Sequence, residues 1–192
     1  MKIGVLAVQG DIREHASMIE KIGYTPVRVK SVEALNEVEG LIIPGGESTT
    51  ISKLMKKTGL WDELKKKAQE GFPIFGTCAG MIVVSKGIEN YPQQETLGLI
   101  DIYVERNAYG RQVFSFEEIL KFNGKDIKVT FIRAPKIVKY GKNIEKLIEF
   151  KDAPVLVREN NILVASFHPE IEDDTSVHQY FIRQIVEKKQ VK

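Results

Sequence analysis

The sequence contains one cysteine, Cys78, set between two glycines in Ile74-Phe75-Gly76-Thr77-Cys78-Ala79-Gly80. A short apolar run precedes it and a helix-forming run follows. This is the spacing of a nucleophile elbow, Gly-x-nucleophile-x-Gly, with Cys in place of Ser. In such an elbow the nucleophile sits on a strained strand-to-helix turn, and bulkier flanking residues would collide with neighbouring backbone. A helix N-terminus aimed at a sulfur favours the thiolate, the reactive form. The backbone N–H of Ala79 then faces the position of an oxyanion. A lone cysteine in a β–α turn is often only a small buried hydrophobe; the paired glycines and the strand-to-helix setting favour the nucleophile.

A cysteine nucleophile needs a base, and there are three histidines. His15 falls on the apolar side of a helical segment, where packing or a hydrogen bond accounts for it. His178 falls in the last helical segment and reads as a surface or partner contact. His168 ends an apolar strand-like run, Val164-Ala165-Ser166-Phe167, and is followed by Pro169-Glu170. In extended chain, residues two apart point to the same side. Glu170 can therefore reach back and hold the imidazole in one tautomer, the orienting role of a third triad member. The order Cys…His…Glu differs from the nucleophile–acid–His order of α/β-hydrolases.

The third element is Leu41-Ile42-Ile43-Pro44-Gly45-Gly46-Glu47-Ser48-Thr49-Thr50. Adjacent glycines let backbone N–H groups turn toward a ligand oxygen, so the loop can supply a second oxyanion donor at Gly46 beside that of Ala79. No Gly-Lys-Ser/Thr ending and no Gly-x-Gly-x-x-Gly is present, which excludes a P-loop and a dinucleotide fingerprint.

These residues need a scaffold that brings several loops to one edge. Strand-like runs at Ile3–Val8, Pro26–Lys30, Gly40–Ile43 and Pro73–Gly76 alternate with helical stretches at Asp11–Ile22, Ser48–Lys57, Trp61–Glu70 and from Ala79. That alternation predicts βαβ units and a parallel sheet covered on both faces. Leu97–Val104, Gln112–Phe116, Ile127–Ile132, Pro154–Arg158 and Ile162–Phe167 are short strands without long helices between them, expected as an antiparallel part or extension of the sheet. Thr175–Lys188 closes the chain as an amphipathic helix carrying Val177, Phe181 and Ile185.

The chain has 192 residues, with 43% hydrophobic and 28% charged residues and a formal net charge of +2. Its length and the absence of repeats or linkers predict one domain over residues 1–192. The small charge, without a long basic run, argues against a nucleic-acid partner. One cysteine rules out an intramolecular disulfide and a cysteine metal cluster. The first apolar run is too short for a signal peptide, and no run approaches the ~20 residues of a membrane helix, so a cytoplasmic location off the membrane is expected.

Taken together, Pro44-Gly45-Gly46, Gly76-Thr77-Cys78-Ala79-Gly80 and His168-Pro169-Glu170 resemble the class I (triad) glutamine amidotransferases. Four further segments resemble one branch of them, the glutaminase subunits of pyridoxal 5′-phosphate synthase: Gly4-Val5-Leu6-Ala7-Val8-Gln9-Gly10-Asp11, Pro44 to Thr50, Glu105-Arg106-Asn107-Ala108-Tyr109-Gly110-Arg111-Gln112 and Phe131-Ile132-Arg133-Ala134-Pro135. The resemblance implies an α/β, flavodoxin-like fold with a central, mostly parallel sheet, helices on both faces and an antiparallel extension. It implies hydrolysis of L-glutamine through a thioester on Cys78, with His168 relaying protons and Glu170 orienting it. It places Gly46, Glu47, Ser48, Arg106, Ile132 and Arg133 at the glutamine site, and an arginine fork suits a carboxylate. It implies no cofactor and no metal. It also implies a partner, a separate synthase subunit that receives the ammonia in a hetero-oligomer. Three other readings are a glutaminase of another pathway, a non-glutaminase relative with an elbow cysteine, and a binding module without catalysis. The first should lack the Gln-Gly-Asp start, the second a late His-Pro-Glu, and the third an intact triad.

Overall fold

In the computed structural model, which describes residues 1–109 and 115–191, the strands alternate their side chains between two apolar layers. Strand β1 (Lys2–Leu6) sends Ile3 and Val5 to one face and Leu6 to the other. β3 (Leu41–Ile43) and β4 (Ile74–Thr77) do the same, with Ile42 and Phe75 opposed to Leu41, Ile43 and Ile74. Period-2 alternation with both sets apolar is what a sheet buried on both sides requires.

One layer is covered by α2 (Val32–Asn36), α3 (Ser48–Lys57), α4 (Leu60–Gln69) and α5 (Ala79–Val84), through Leu35, Ile51, Met55, Leu60, Leu64 and Met81. The other is covered by α1 (Ile12–Lys21) and by the last helical run. That run is α-helical at Ser176–Gln179 (α6) and Glu187–Gln190 (α7), with a π-helical stretch, Tyr180–Val186, between them.

The main sheet has the order β10-β11-β12-β4-β3-β1-β2, in which β2 is Thr25–Val29, β10 Glu145–Phe150, β11 Ala153–Glu159 and β12 Ile162–Ala165. β2, β1, β3, β4 and β12 are parallel; β11 and β10 are added antiparallel. This is the mostly parallel sheet with an antiparallel extension that the sequence predicts, except that Ile162–Phe167, expected in the antiparallel part, supplies β12 and pairs parallel to β4.

The rest of the second half departs from that expectation. β5 (Ser85–Ile88), β6 (Ile100–Glu105) and β9 (Lys136–Tyr140) form a separate three-stranded sheet, and β7 (Ser115–Phe122) pairs only with β8 (Lys125–Ile132) in a hairpin, among the described residues. Its turn is Asn123-Gly124, both at positive φ, as a two-residue hairpin loop with the twist of its strands demands. Gln112 to Phe114 of the expected strand, and Gly110-Arg111-Gln112 of the quoted motif, lie outside the described residues. No helix among the described residues is long and apolar enough to cross a membrane.

The parallel strands end on one edge, and there the sheet delivers Gln9–Asp11 after β1, residues 44–48 after β3, Cys78 after β4 and His168 after β12. In open α/β sheets the carboxyl ends of the strands, where loops diverge, form the binding crevice.

Candidate active site

β4 runs straight into the elbow. Cys78 has φ 50° and ψ −106°, and its N–H donates to the Ala165 carbonyl on β12 at 2.9 Å. The flanking glycines are required by contact. A Cβ on Gly76 would lie 2.7 Å from the Gly80 carbonyl, and one on Gly80 would lie 2.0 Å from the Ile43 oxygen. Backbone strain of this kind costs about 1–3 kcal/mol. Burial of a single large apolar side chain contributes about as much, and Ile43, Phe75 and Phe167 around the elbow are fully buried. The packing can therefore hold the turn.

His168 follows β12 and is fixed by its N–H, which donates to the Thr130 carbonyl of β8 at 2.8 Å. Its Nδ1 lies 2.6 Å from Glu170 Oε1. An ionised carboxylate only accepts, so the Nδ1 proton donates and Nε2 is left as the acceptor. Nε2 is buried without an aligned partner, beside Cys78. The two-residue reach of Glu170 is thus the one read from the sequence. A second carboxylate, Asp11 Oδ2, lies 3.3 Å from the same Nδ1.

Burial opposes charge on His168, but hydrogen bonds with Asp11, Cys78 and Glu170 outweigh it and hold its pKa above the usual histidine range. Burial raises the pKa of Glu170, and the bond and charge of His168 offset only part of that. Asp11 is lowered, first by its hydrogen bond to His168, against the opposing effect of burial. The arrangement stabilises the protonated form of His168, the form it takes on receiving the proton of Cys78. Asp11, His168 and Glu170 also bring one potential ligand atom each within 4.8 Å of one another. Nδ1 is the atom both carboxylates share, so the group is a hydrogen-bonded cluster with its ligand lone pair already used.

The Cys78 sulfur contacts the Ile132 carbonyl at 3.7 Å. The thiol therefore points to the end of β8, while still interacting with His168. Ile132 reaches the nucleophile through its backbone. Arg133 follows at φ 44°, and Asn107 across the cavity is at φ 50°. Together with Cys78, three non-glycine residues at positive φ surround one space.

The glycine loop is tied to the end of β1. Asp11 N–H donates to the Gly45 carbonyl at 3.1 Å, and Glu47 N–H donates to Gln9 Oε1 at 2.9 Å. The Glu47 carboxylate caps α3, accepting from the N–H groups of Thr49 (3.1 Å) and Thr50 (2.8 Å) and from both threonine hydroxyls. Burial resists ionisation there, but these bonds bring its pKa down to about 2. Glu47 is thus at the site, as expected, with its carboxylate occupied in holding the helix.

Ser48 is buried and accepts from Gln94 Nε2 at 3.0 Å; Gln94 Oε1 in turn accepts from Arg106 Nη1 at 2.9 Å. The Arg106 guanidinium lies over the Tyr91 ring at 5.0 Å, and Asn90 brackets the Arg106 backbone through both its N–H and its carbonyl.

A cavity of about 360 Å³ joins these groups. Gly46, Glu47, Ser48, Cys78, Ala79, Arg106, Ile132, Arg133 and His168 all line it, so the structure brings together every expected site residue except Glu170, which stands behind His168. Asp11, Ile82, Asn107 and Ile171 line it as well and were not anticipated. Asp11 and Asn107 lie within the motif segments, which was the available signal. Gln94 and Tyr91 sit in an irregular segment that carries none.

The family model for the SNO glutamine amidotransferase family matches residues 5–187. A pyridoxal 5′-phosphate synthase subunit PdxT from Thermosipho africanus is 57% identical over 187 residues, covering 96% of this chain and 99% of that protein. One from Kosmotoga olearia is 54% identical over 192 residues, covering 98% and 100%. Among solved structures, one described as a glutamine amidotransferase superposes with a TM-score of 0.91 at 46% identity, covering 94% of this chain and 97% of the other. PurLQS from Thermotoga maritima, at 17% identity and a TM-score of 0.69 over 95% and 97% of the two chains, shares the fold.

Proposed function

The chain belongs to the SNO glutamine amidotransferase family, and from that premise we propose how its own residues hydrolyse glutamine and release ammonia to a synthase subunit. The supporting observation is the cavity in which His168, held through Nδ1 by Glu170 at 2.6 Å, turns Nε2 toward the elbow cysteine. Cys78 gives its proton to His168 Nε2 and attacks the side-chain amide carbon of L-glutamine. The oxyanion is met by the N–H of Ala79, which heads α5 and has no intrahelical acceptor, and by that of Gly46. The C–N bond breaks as His168 protonates the departing nitrogen, which leaves as ammonia. A water then loses its proton to His168 and attacks the thioester carbon. L-glutamate departs, and the proton returns to Cys78. The ammonia is used for pyridoxal 5′-phosphate synthesis, the activity named for the relatives, in a hetero-oligomer with the synthase subunit. Residues 1–192 act as one glutaminase domain. Glutamate release from glutamine, followed with and without that subunit, tests the reading; a chain inactive in both conditions would remove it.

Arg106 is held at the cavity wall by Gln94 and Tyr91, and its Nη2 lies 3.9 Å from Glu47 Oε1, a loose pairing with which a substrate carboxylate would compete for the fork. A charge-assisted bond of this kind is worth about 1.5–3 kcal/mol. Arg106→Ala should therefore lower kcat/KM about 10–100-fold, mostly through KM. Arg106→Lys should recover little, because a lysine has neither the fork nor the stacking plane. Unchanged kcat/KM with a lowered melting temperature would make Arg106 a structural residue.

Glu170→Gln keeps an oxygen near Nδ1 but removes the charge and no longer fixes the tautomer. Turnover should fall about 10³-fold, less than for His168→Ala, since only His168 moves the proton. Equal turnover of Glu170→Gln and the wild type would exclude an orienting role.

A further inference from the structure

The catalytic reading leaves two buried histidines unused. His15 on α1 and His178 on α6 are both fully buried, although the sequence suggested a surface position for His178. His15 Nδ1 is 2.8 Å from His178 Nε2, and His15 Nε2 is 3.1 Å from the hydroxyl of Thr77, the residue before the nucleophile. The same Nε2 lies 3.6 Å from Glu170 Oε2, the carboxylate oxygen turned away from His168. That oxygen is buried without a hydrogen-bond partner.

From this geometry we propose that His15 is a positioning residue for the reaction: its Nε2–H, oriented by His178, holds the second oxygen of Glu170 and so fixes the carboxylate that aligns His168. The inference rests on Glu170 being the triad carboxylate.

Proton placement follows from hydrogen-bond accounting. His15 Nε2 faces the Thr77 hydroxyl at 3.1 Å, which can accept or donate, and Glu170 Oε2 at 3.6 Å, which only accepts; a proton on Nε2 serves both oxygens. His15 Nδ1 is then an acceptor and needs a donor, which His178 Nε2–H supplies at 2.8 Å. His178 Nδ1 is left as a bare lone pair, and it is indeed a buried atom without a partner. The reverse assignment would let Thr77 O–H donate to Nε2, but it would bury an unpaired N–H at His178 and turn the Nε2 lone pair toward a carboxylate. Burial keeps both rings neutral: it is the leading cause that lowers His15, ahead of the charges of His178 and His168, and it takes His178 down to about 3. At 3.6 Å the His15–Glu170 contact is longer than a hydrogen bond. Catalytic bonds are often long before substrate binds and tighten in the loaded complex. The arrangement also ties together four parts of the chain, α1, β4, α6 and the segment after β12.

His15→Asn and His15→Gln separate the two contacts of the ring. An Asn amide overlays Nδ1 and keeps the bond to His178, but nothing reaches Glu170. A Gln amide extends to the Nε2 position and restores a donor there. With the synthase subunit present, His15→Asn should lower kcat about 10-fold with KM within about twofold, and His15→Gln should recover most of it. In a Glu170→Gln background, His15→Asn should change kcat by less than about twofold, because its effect passes through Glu170. If Glu170→Gln alone is fully active, the triad reading fails. If Glu170→Gln is impaired while His15→Asn keeps full kcat, or loses the same factor in both backgrounds, the positioning role is overturned. Should His15→Asn fail to fold, the wild-type protein still decides: ¹⁵N imidazole spectra at neutral pH should show His15 and His178 as Nε2–H tautomers, and an Nδ1–H tautomer at His15 would overturn the proposal.

Discussion

Cys78→Ala should abolish glutamine hydrolysis, with a loss of at least about 10⁴-fold, and leave the protein folded. Without the sulfur there is no thioester, and no other thiol exists in the chain. Removing a nucleophile that acts as a unit with its base costs about as much as removing the whole set. The fold should survive because alanine keeps the Cβ and loses the sulfur's contacts with the Ile132 carbonyl and with His168. The melting temperature should stay within about 4 °C, the shift that 1 kcal/mol gives a chain of this size. Cys78→Gly should be equally inactive yet more stable than Cys78→Ala, because glycine relaxes a backbone held at φ 50°. Glutamate production by stopped assay and thermal unfolding of both variants decide this. Activity of Cys78→Ala above about 1% of wild type would remove Cys78 as nucleophile. A γ-glutamyl adduct seen by intact mass on the wild type and missing from Cys78→Ala would place the intermediate directly.

The parts of this site that were legible in the sequence are those encoded by short-range spacing. The elbow is announced by Gly76 and Gly80, because contacts with Gly80 and Ile43 backbone leave no room for a Cβ. His168 and Glu170 are two residues apart in extended chain, so their meeting is a local fact. The first four parallel strands follow from apolar runs that alternate with helical periodicity, whereas nothing local says that β12 pairs parallel to β4. What was not legible depends on pairing between distant segments. β5, β6 and β9 carry ordinary strand residues, and nothing local says that they leave the main sheet. α2 has five residues, too few to show a period. β10 reads Glu-Lys-Leu-Ile-Glu-Phe, and its charges suit an edge strand but mask its apolar face.

His178 is a different case, since its burial could have been read. The last helix buries Val177, Phe181 and Ile185, the row used to define its apolar face, but also His178, Ile182 and Val186 one position on. Two parallel rows spaced by four residues make a stripe wide enough to include the histidine. The π-helical stretch over Tyr180–Val186 keeps that spacing facing inward. Gln94 offers no comparable signal. It lies in an irregular segment, and its role of holding Arg106 to Ser48 appears only when three loops meet.

Addition of the synthase subunit should raise the glutaminase rate about 100-fold at saturating glutamine. Ammonia released without an acceptor is lost to solvent, so a resting site is the economical state, and the structure contains a linkage that can impose it. The oxyanion donor proposed at Gly46 sits in a loop that the end of β1 grips on two sides: Gln9 Oε1 holds the Glu47 N–H at 2.9 Å, and Asp11 N–H holds the Gly45 carbonyl at 3.1 Å. Gly10 packs so closely on that carbonyl that a Cβ there would fall 1.9 Å from its oxygen. Any displacement of Gln9–Asp11 must therefore move the loop. The peptide joining Gly45 and Gly46 has no side chain on either flank, so once Asp11 N–H releases its carbonyl it can rotate as a plane and turn its N–H toward or away from the oxyanion position. Asp11 also touches His168 Nδ1, which couples the same segment to the base. A partner that docks on the end of β1 need favour the active loop by only about 2.7 kcal/mol to produce the 100-fold change. Gly46→Ala would place a Cβ 2.3 Å from Gln9 Oε1, and should blunt the response without preventing the complex from forming. The test is the rate of glutamate formation against added synthase subunit, with complex formation followed in parallel. A rate already maximal in the free chain and flat on titration would leave a constitutive glutaminase, whose glycine loop is fixed rather than switched.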